Sequence, residues 1–74
     1  NPQTAIQIGL NENMHLYAAV FDINGRFVKQ VVNDHFQSGT HEITINNKDL
    51  ASGIYFIRLF SDGKNHTRKL VFLK

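Results

Sequence analysis

The sequence predicts an all-β sandwich of roughly six or seven antiparallel strands, on three grounds. Apolar residues recur with a period of two along almost the whole chain, the alternation of half-buried strands. Turns containing glycine separate these runs at roughly ten-residue spacing, among them Asn24-Gly25 and Asp62-Gly63, two dipeptides that favour tight hairpins. No stretch repeats its apolar residues every three and four positions over a helical length, so no helix longer than one turn is expected.

Taken in order, "TAIQIGL" sets Ile6, Ile8 and Leu10 on one face and Ala5, Gln7 and Gly9 on the other, a first strand. Pro2 stands before it, where its missing N–H breaks no ladder bond. "HLYAAVFDI" is apolar on both faces, with Leu16, Ala18 and Val20 opposed to Tyr17, Ala19, Phe21 and Ile23, which marks a central strand. Asp22, Asn24 and Gly25 then form the turn into "RFVKQVV", since Asn and Gly both tolerate positive φ. After a polar loop, Gly39 opens a strand in which His41, Ile43 and Ile45 alternate with Thr40, Glu42 and Thr44. "NNKDLASG" is a loop, and "IYFIRLF" is a strand by its aromatic and β-branched content. Asp62 and Gly63 supply the next turn, and the chain finishes in "HTRKLVFLK". The expected core is Ile6, Ile8, Leu16, Ala18, Val20, Val28, Ile43, Ile45, Tyr55, Ile57, Leu59, Leu70 and Phe72. In the last strand Val71 and Leu73 compete with Leu70 and Phe72 for the inner face.

Composition excludes several function classes. With 74 residues there is room for one domain, and a chain this short buries only about 60 to 65% of its unfolded surface, too little to wall a deep catalytic cleft. The absence of cysteine removes disulfides and thiolate metal sites. A net charge of +2 lacks the dense basic patch that nucleic acid demands. No apolar run approaches the roughly 20 residues of a helical membrane span. The chain starts Asn1-Pro2 and its single methionine is Met14. It is therefore expected to be a fragment of a longer multidomain protein, residues 1–74 forming one domain and any export signal lying upstream.

No constellation reads as catalytic or metal-binding, and no cofactor is expected. "DINGR" has the Asp-x-Asn spacing that opens a calcium loop, but Gly25 comes too early, and Asn33 stands where a bidentate glutamate is needed. His15, His35, His41 and His66 show no metal-ligand spacing and fall on different elements. The carboxylates Asp22, Asp34, Glu42, Asp49 and Asp62 sit mainly at turns and on a solvent face, and nothing in the sequence pairs any two of them. Ser38, Ser52 and Ser61 flank glycines without forming a nucleophile elbow. Gly53 is expected to need a bulge or positive φ on the way into its strand, and Tyr55 is expected to bond backbone through its hydroxyl, as corner tyrosines of sandwiches do.

The succession "NP", "VFDINGRFV", "SGTHEITI", "LASGIYFIRL" and terminal "RKLVFLK" resembles the C-terminal sorting domain of proteins exported by the type IX secretion system of Bacteroidota. The ordered set carries the resemblance rather than any one block. It rests on Val20, Asp22, Gly25, Arg26 and Val28, on Gly39 and His41, on Leu50 to Gly53 with Tyr55 and Leu59, and on Lys69, Val71, Leu73 and Lys74. It implies an Ig-like β-sandwich at the end of a cargo protein, with the type IX translocon, a sortase-like peptidase and the N-terminal cargo domains of the same chain as partners. The implied function is non-catalytic: carriage from the periplasm through the outer membrane, then removal of the domain and surface anchoring of the cargo. The cleavage region would lie upstream of Asn1. The same pattern also resembles the Ig-like domain of flagellar hook-capping proteins. The residues expected to meet the translocon are Gly53, Tyr55, Arg68, Lys69, Val71, Leu73 and Lys74, because a strand with basic and apolar side chains in alternation can be read by sheet addition or at an acidic groove. Two other classes are weighed beside it. Phe21, Phe27, Tyr17, Phe36 and Phe60 would make an aromatic surface for glycan or for a neighbouring domain, and exposed edge strands would make a spacer or dimerisation module.

Overall fold

The computed structural model describes residues 3–73. Six strands account for most of them: β1 (Gln3–Leu10), β2 (Met14–Asp22), β3 (Phe27–Phe36), β4 (Gly39–Asn46), β5 (Gly53–Ser61) and β6 (Lys64–Phe72). All pairings are antiparallel. The strands divide into a sheet β1-β4 and a sheet β3-β2-β5-β6, packed as an Ig-like sandwich. The molecule's shortest extent, 16 Å, admits two sheets about 10 Å apart and no third layer.

The apolar alternation explains both layers. From the small sheet Ile6 and Ile45, and from the large sheet Ala18, Val20, Ile57, Leu70 and Phe72, form one buried cluster, and Ile43 and Leu16 are buried as well. Ile8, Val28, Tyr55 and Leu59 pack half-buried around this cluster, as do Val31, Val32 and Leu50. β2 lies between β3 and β5, the central place its two apolar faces predict. Even its outward-facing Ala19 is fully buried, flanked on the same strand by Tyr17 and Phe21 and opposed across the ladder by Arg58.

β3 departs from simple alternation, and bulges are the reason. The β2–β3 register shifts twice: Ala18 faces Val32 while Ala19 faces Gln30, and Val20 faces Lys29 while Phe21 faces Phe27. Val31 and Val28 are the extra residues, and the kinks bring both against the core along with Val32. Lys29 then ties the layers together, its Nζ donating to the Asn46 carbonyl at 2.9 Å.

The turns follow their sequence chemistry with one difference. At the β2–β3 hairpin Gly25 alone takes positive φ, 82°, and Asn24 does not. The Asp22 carboxylate organises the loop instead, its Oδ1 accepting from the amides of Asn24 at 2.9 Å and Arg26 at 3.0 Å. At the β5–β6 hairpin Asp62 (φ 47°) and Gly63 (φ 77°) are both left-handed, the pattern of a two-residue type I′ turn.

Candidate functional site

The described residues expected to be read by a partner lie on β5, on β6 and just past it, but they do not form one patch. Gly53 opens β5 with φ 155° and faces Phe72. Tyr55 is half-buried, its ring 5.1 Å from that of Phe72, and its hydroxyl donates to the Ala51 carbonyl at 2.8 Å. The hydroxyl thereby closes the loop that leads into β5, the corner role expected of it. Tyr55 and Gly53 brace the end of the sandwich where β6 finishes.

On β6 the two faces separate. Leu70 and Phe72 are buried, and the alternate positions Lys69 and Val71 lie on the outer face, opposite Phe56 and Ile54. Val71 is 56% exposed and Leu73, just past the strand, 72% exposed. The competition for the inner face is thus resolved in favour of Leu70 and Phe72. Arg68 shares the inner-face parity of Leu70, yet it is exposed, because the small sheet does not cover that end of β6. Lys74 lies outside the described residues.

The outer face of the large sheet carries an aromatic group. Tyr17 and Phe60 stand with ring centroids 5.8 Å apart, Phe21 and Phe27 meet edge-on at 6.0 Å, and the Arg58 guanidinium lies 5.0 Å above the Phe21 ring. Four of the five aromatics expected on such a surface are therefore on one face. Phe36 is elsewhere, packed against His41 at 5.0 Å.

Several of the polar residues weighed for chemistry are engaged in structure. His15 bonds Asn33 across the β2–β3 ladder, and His41 bonds the Gln37 carbonyl. Asp34 accepts from the His35 amide. Among the described residues no cluster of His, Asp and Glu is arranged to hold a metal ion, and no helix is long and apolar enough to cross a membrane. One buried polar residue escapes sequence reasoning: Asn47, just after β4, is 1% exposed, and its Oδ1 has no partner among the described residues. Its backbone carbonyl accepts from the Leu50 amide at 3.0 Å, so it opens the turn on which Ala51 and Tyr55 depend.

A family model described as the secretion system C-terminal sorting domain matches residues 1–73. No curated protein and no solved structure matches.

Proposed function

The chain belongs to the secretion system C-terminal sorting domains, the sorting signals of type IX secretion, and from that membership we propose that it directs an attached cargo through the type IX outer-membrane translocon. Such a domain makes its parent a secreted or cell-surface protein. In this reading residues 1–74 are one sorting domain of a longer chain, without catalysis or cofactor of their own. A sortase-like peptidase then removes the domain and joins the cargo to the surface. The carrying observation is the family match along residues 1–73.

The exposed side of β6 is the surface best suited to recognition. Lys69, Val71 and Leu73 alternate with the buried Leu70 and Phe72, so one short segment both anchors in the core and presents a mixed basic and apolar row to a partner. Arg68 precedes this row on β6, Gly53 and Tyr55 lie on the paired strand β5 opposite Phe72 and Leu70, and Lys74 follows it in sequence.

The test is a fusion of this domain to a periplasmic reporter in a type IX-competent bacterium. The parent fusion reaches the surface or medium, and the variant Lys69→Ala, Val71→Ser, Leu73→Ser folds like the parent but is exported less. A parent fusion that stays in the periplasm refutes the sorting reading, whereas a folded variant exported like the parent removes only the β6 row from it.

A second reading is favoured by the aromatic face of Tyr17, Phe60, Phe21 and Phe27. There the domain is an accessory module that holds a glycan or a neighbouring domain of the same chain. A glycan titration that shifts resonances of these rings supports it, and the absence of any shift rejects the glycan form.

A further inference from the structure

β1 pairs only with β4 and β6 only with β5, so each has an unpaired edge, and both border one groove of about 670 Å³. β1 lines it with consecutive residues from Ile6 to Leu10. Successive residues of a strand point to opposite faces, so a wall made of neighbours means that the groove runs along the β1 edge. β6 lines it chiefly with Lys64, His66 and Arg68, alternate residues of one face, so the groove lies over the inner face of β6.

That face changes character along its length. At Leu70 and Phe72 it is apolar and buried, while from Lys64 to Arg68 it is exposed. Covering these side chains with an apolar layer would strip two fixed cations of water, which is costly without partners. The small sheet stops at β1, and the sandwich stays open over the row. Ile6, Ile8, Leu10, Met14, Leu16 and Leu59 form the apolar part of the walls, and Glu12 is the only acid among the lining residues. Lys64, His66 and Arg68 have no ion-pair partner among the described residues.

We propose that this groove binds an extended acidic peptide, which adds to the free edge of β1 as a third strand of the small sheet and points alternate Asp or Glu side chains at Lys64, His66 and Arg68. The spacing fits: alternate residues of any strand lie about 6.8 Å apart, so acids at every second position match cations at every second position. The backbone N–H and C=O groups of the β1 edge supply the main-chain bonds, and the charges supply register. A second copy of this chain is a poorer occupant, because pairing through β6 would bring one cationic row against another. This binding is independent of the export reading.

The experiment is a titration of the isotopically labelled domain with the peptide acetyl-Thr-Glu-Val-Glu-Val-Glu-Thr-amide, followed by amide resonances at low and high salt. The expected result is saturable binding that shifts the amides of Ile6 to Leu10, weakens with salt and is about tenfold or more weaker for the same peptide with Lys in place of Glu. The variant Lys64→Ser, Arg68→Ser changes only exposed side chains, keeps the parent melting temperature and loses the acidic peptide by a similar factor. Equal binding of the two peptides, no binding at millimolar peptide, or shifts confined to the aromatic outer face overturns the proposal. So does a concentration-dependent dimer that closes the β1 edge and excludes the peptide.

Discussion

The conformation of Gly53 gives a test in which packing drops out. A Cβ added at Gly53 meets no atom within 4 Å, and the same holds at Gly9. The two glycines differ in backbone: Gly53 has φ 155°, a region side chains resist, whereas Gly9 has no positive φ. Alanine at Gly9 removes freedom from the unfolded chain and stabilises by about 0.4 to 1 kcal/mol. Alanine at Gly53 gains the same term but must hold a strained backbone, at a cost of about 1 to 3 kcal/mol. For a domain of this size 1 kcal/mol moves the melting temperature by about 4 to 8 °C, so Gly53→Ala melts several degrees below the parent and Gly9→Ala at or above it. Valine at Gly53 is worse, because branching at Cβ narrows the backbone further. Thermal unfolding followed by far-ultraviolet circular dichroism measures all three variants. If Gly53→Ala and Gly9→Ala melt together, the backbone argument fails.

Other substitutions separate the structural roles of neighbouring residues. Tyr55→Phe keeps the ring against Phe72 but loses the hydroxyl bond to Ala51, and denaturant titration should show a loss of about 1 kcal/mol. Asp22→Ala removes the acceptor of two turn amides that remain open to water, so about 1 kcal/mol is expected by the same measurement, with the sheet intact by circular dichroism. On β6, Leu70→Ala costs about 2 to 5 kcal/mol and Phe72→Ala about 3 to 5, whereas Val71→Ser and Leu73→Ser stay within about 0.5. A midpoint for Val71→Ser as low as that for Leu70→Ala would mean that the faces of β6 are assigned wrongly. Lys69→Ala leaves stability within about 0.5 kcal/mol and lowers export of a fused reporter, read as the exported fraction.

Much of the fold was legible because the chain obeys period two. The strands around Ile6 and Ile8, around Ile43 and Ile45 and around Tyr55, Ile57 and Leu59 follow from alternation, and the two hairpins follow from Asn24-Gly25 and Asp62-Gly63. β3 was less legible. Val28, Val31 and Val32 cannot all face one side of a regular strand, and only the bulges seen in the β2–β3 register reconcile them with the core. Asn47 gives no sequence signal at all: among the polar residues of "NNKDLASG" nothing distinguishes the one that is buried. The groove was hidden for another reason. Lys64, His66 and Arg68 read as part of a basic terminal strand, and their common face matters only once β1 is seen to stop short of them.

The face of β6 could have been settled from the sequence by counting through its turn. A two-residue turn at Asp62-Gly63 places Ser61 opposite Lys64, and stepping back along both strands sets Leu59 against His66, Ile57 against Arg68 and Tyr55 against Leu70, as the ladder shows. Directly opposed residues share a face. Tyr55, Ile57 and Leu59 are the core side of β5, so Leu70 and Phe72 must be core and Val71 exposed, whatever their equal hydrophobicity suggests. The same count places Lys64, His66 and Arg68 on the inner face as well. Three ionisable residues on the core side of an edge strand signal either a misread register or a sandwich left open, and with the register fixed by the turn only the open sandwich remains. Local apolar alternation alone could not choose between the faces of β6, but a tight turn transmits the choice already made on β5.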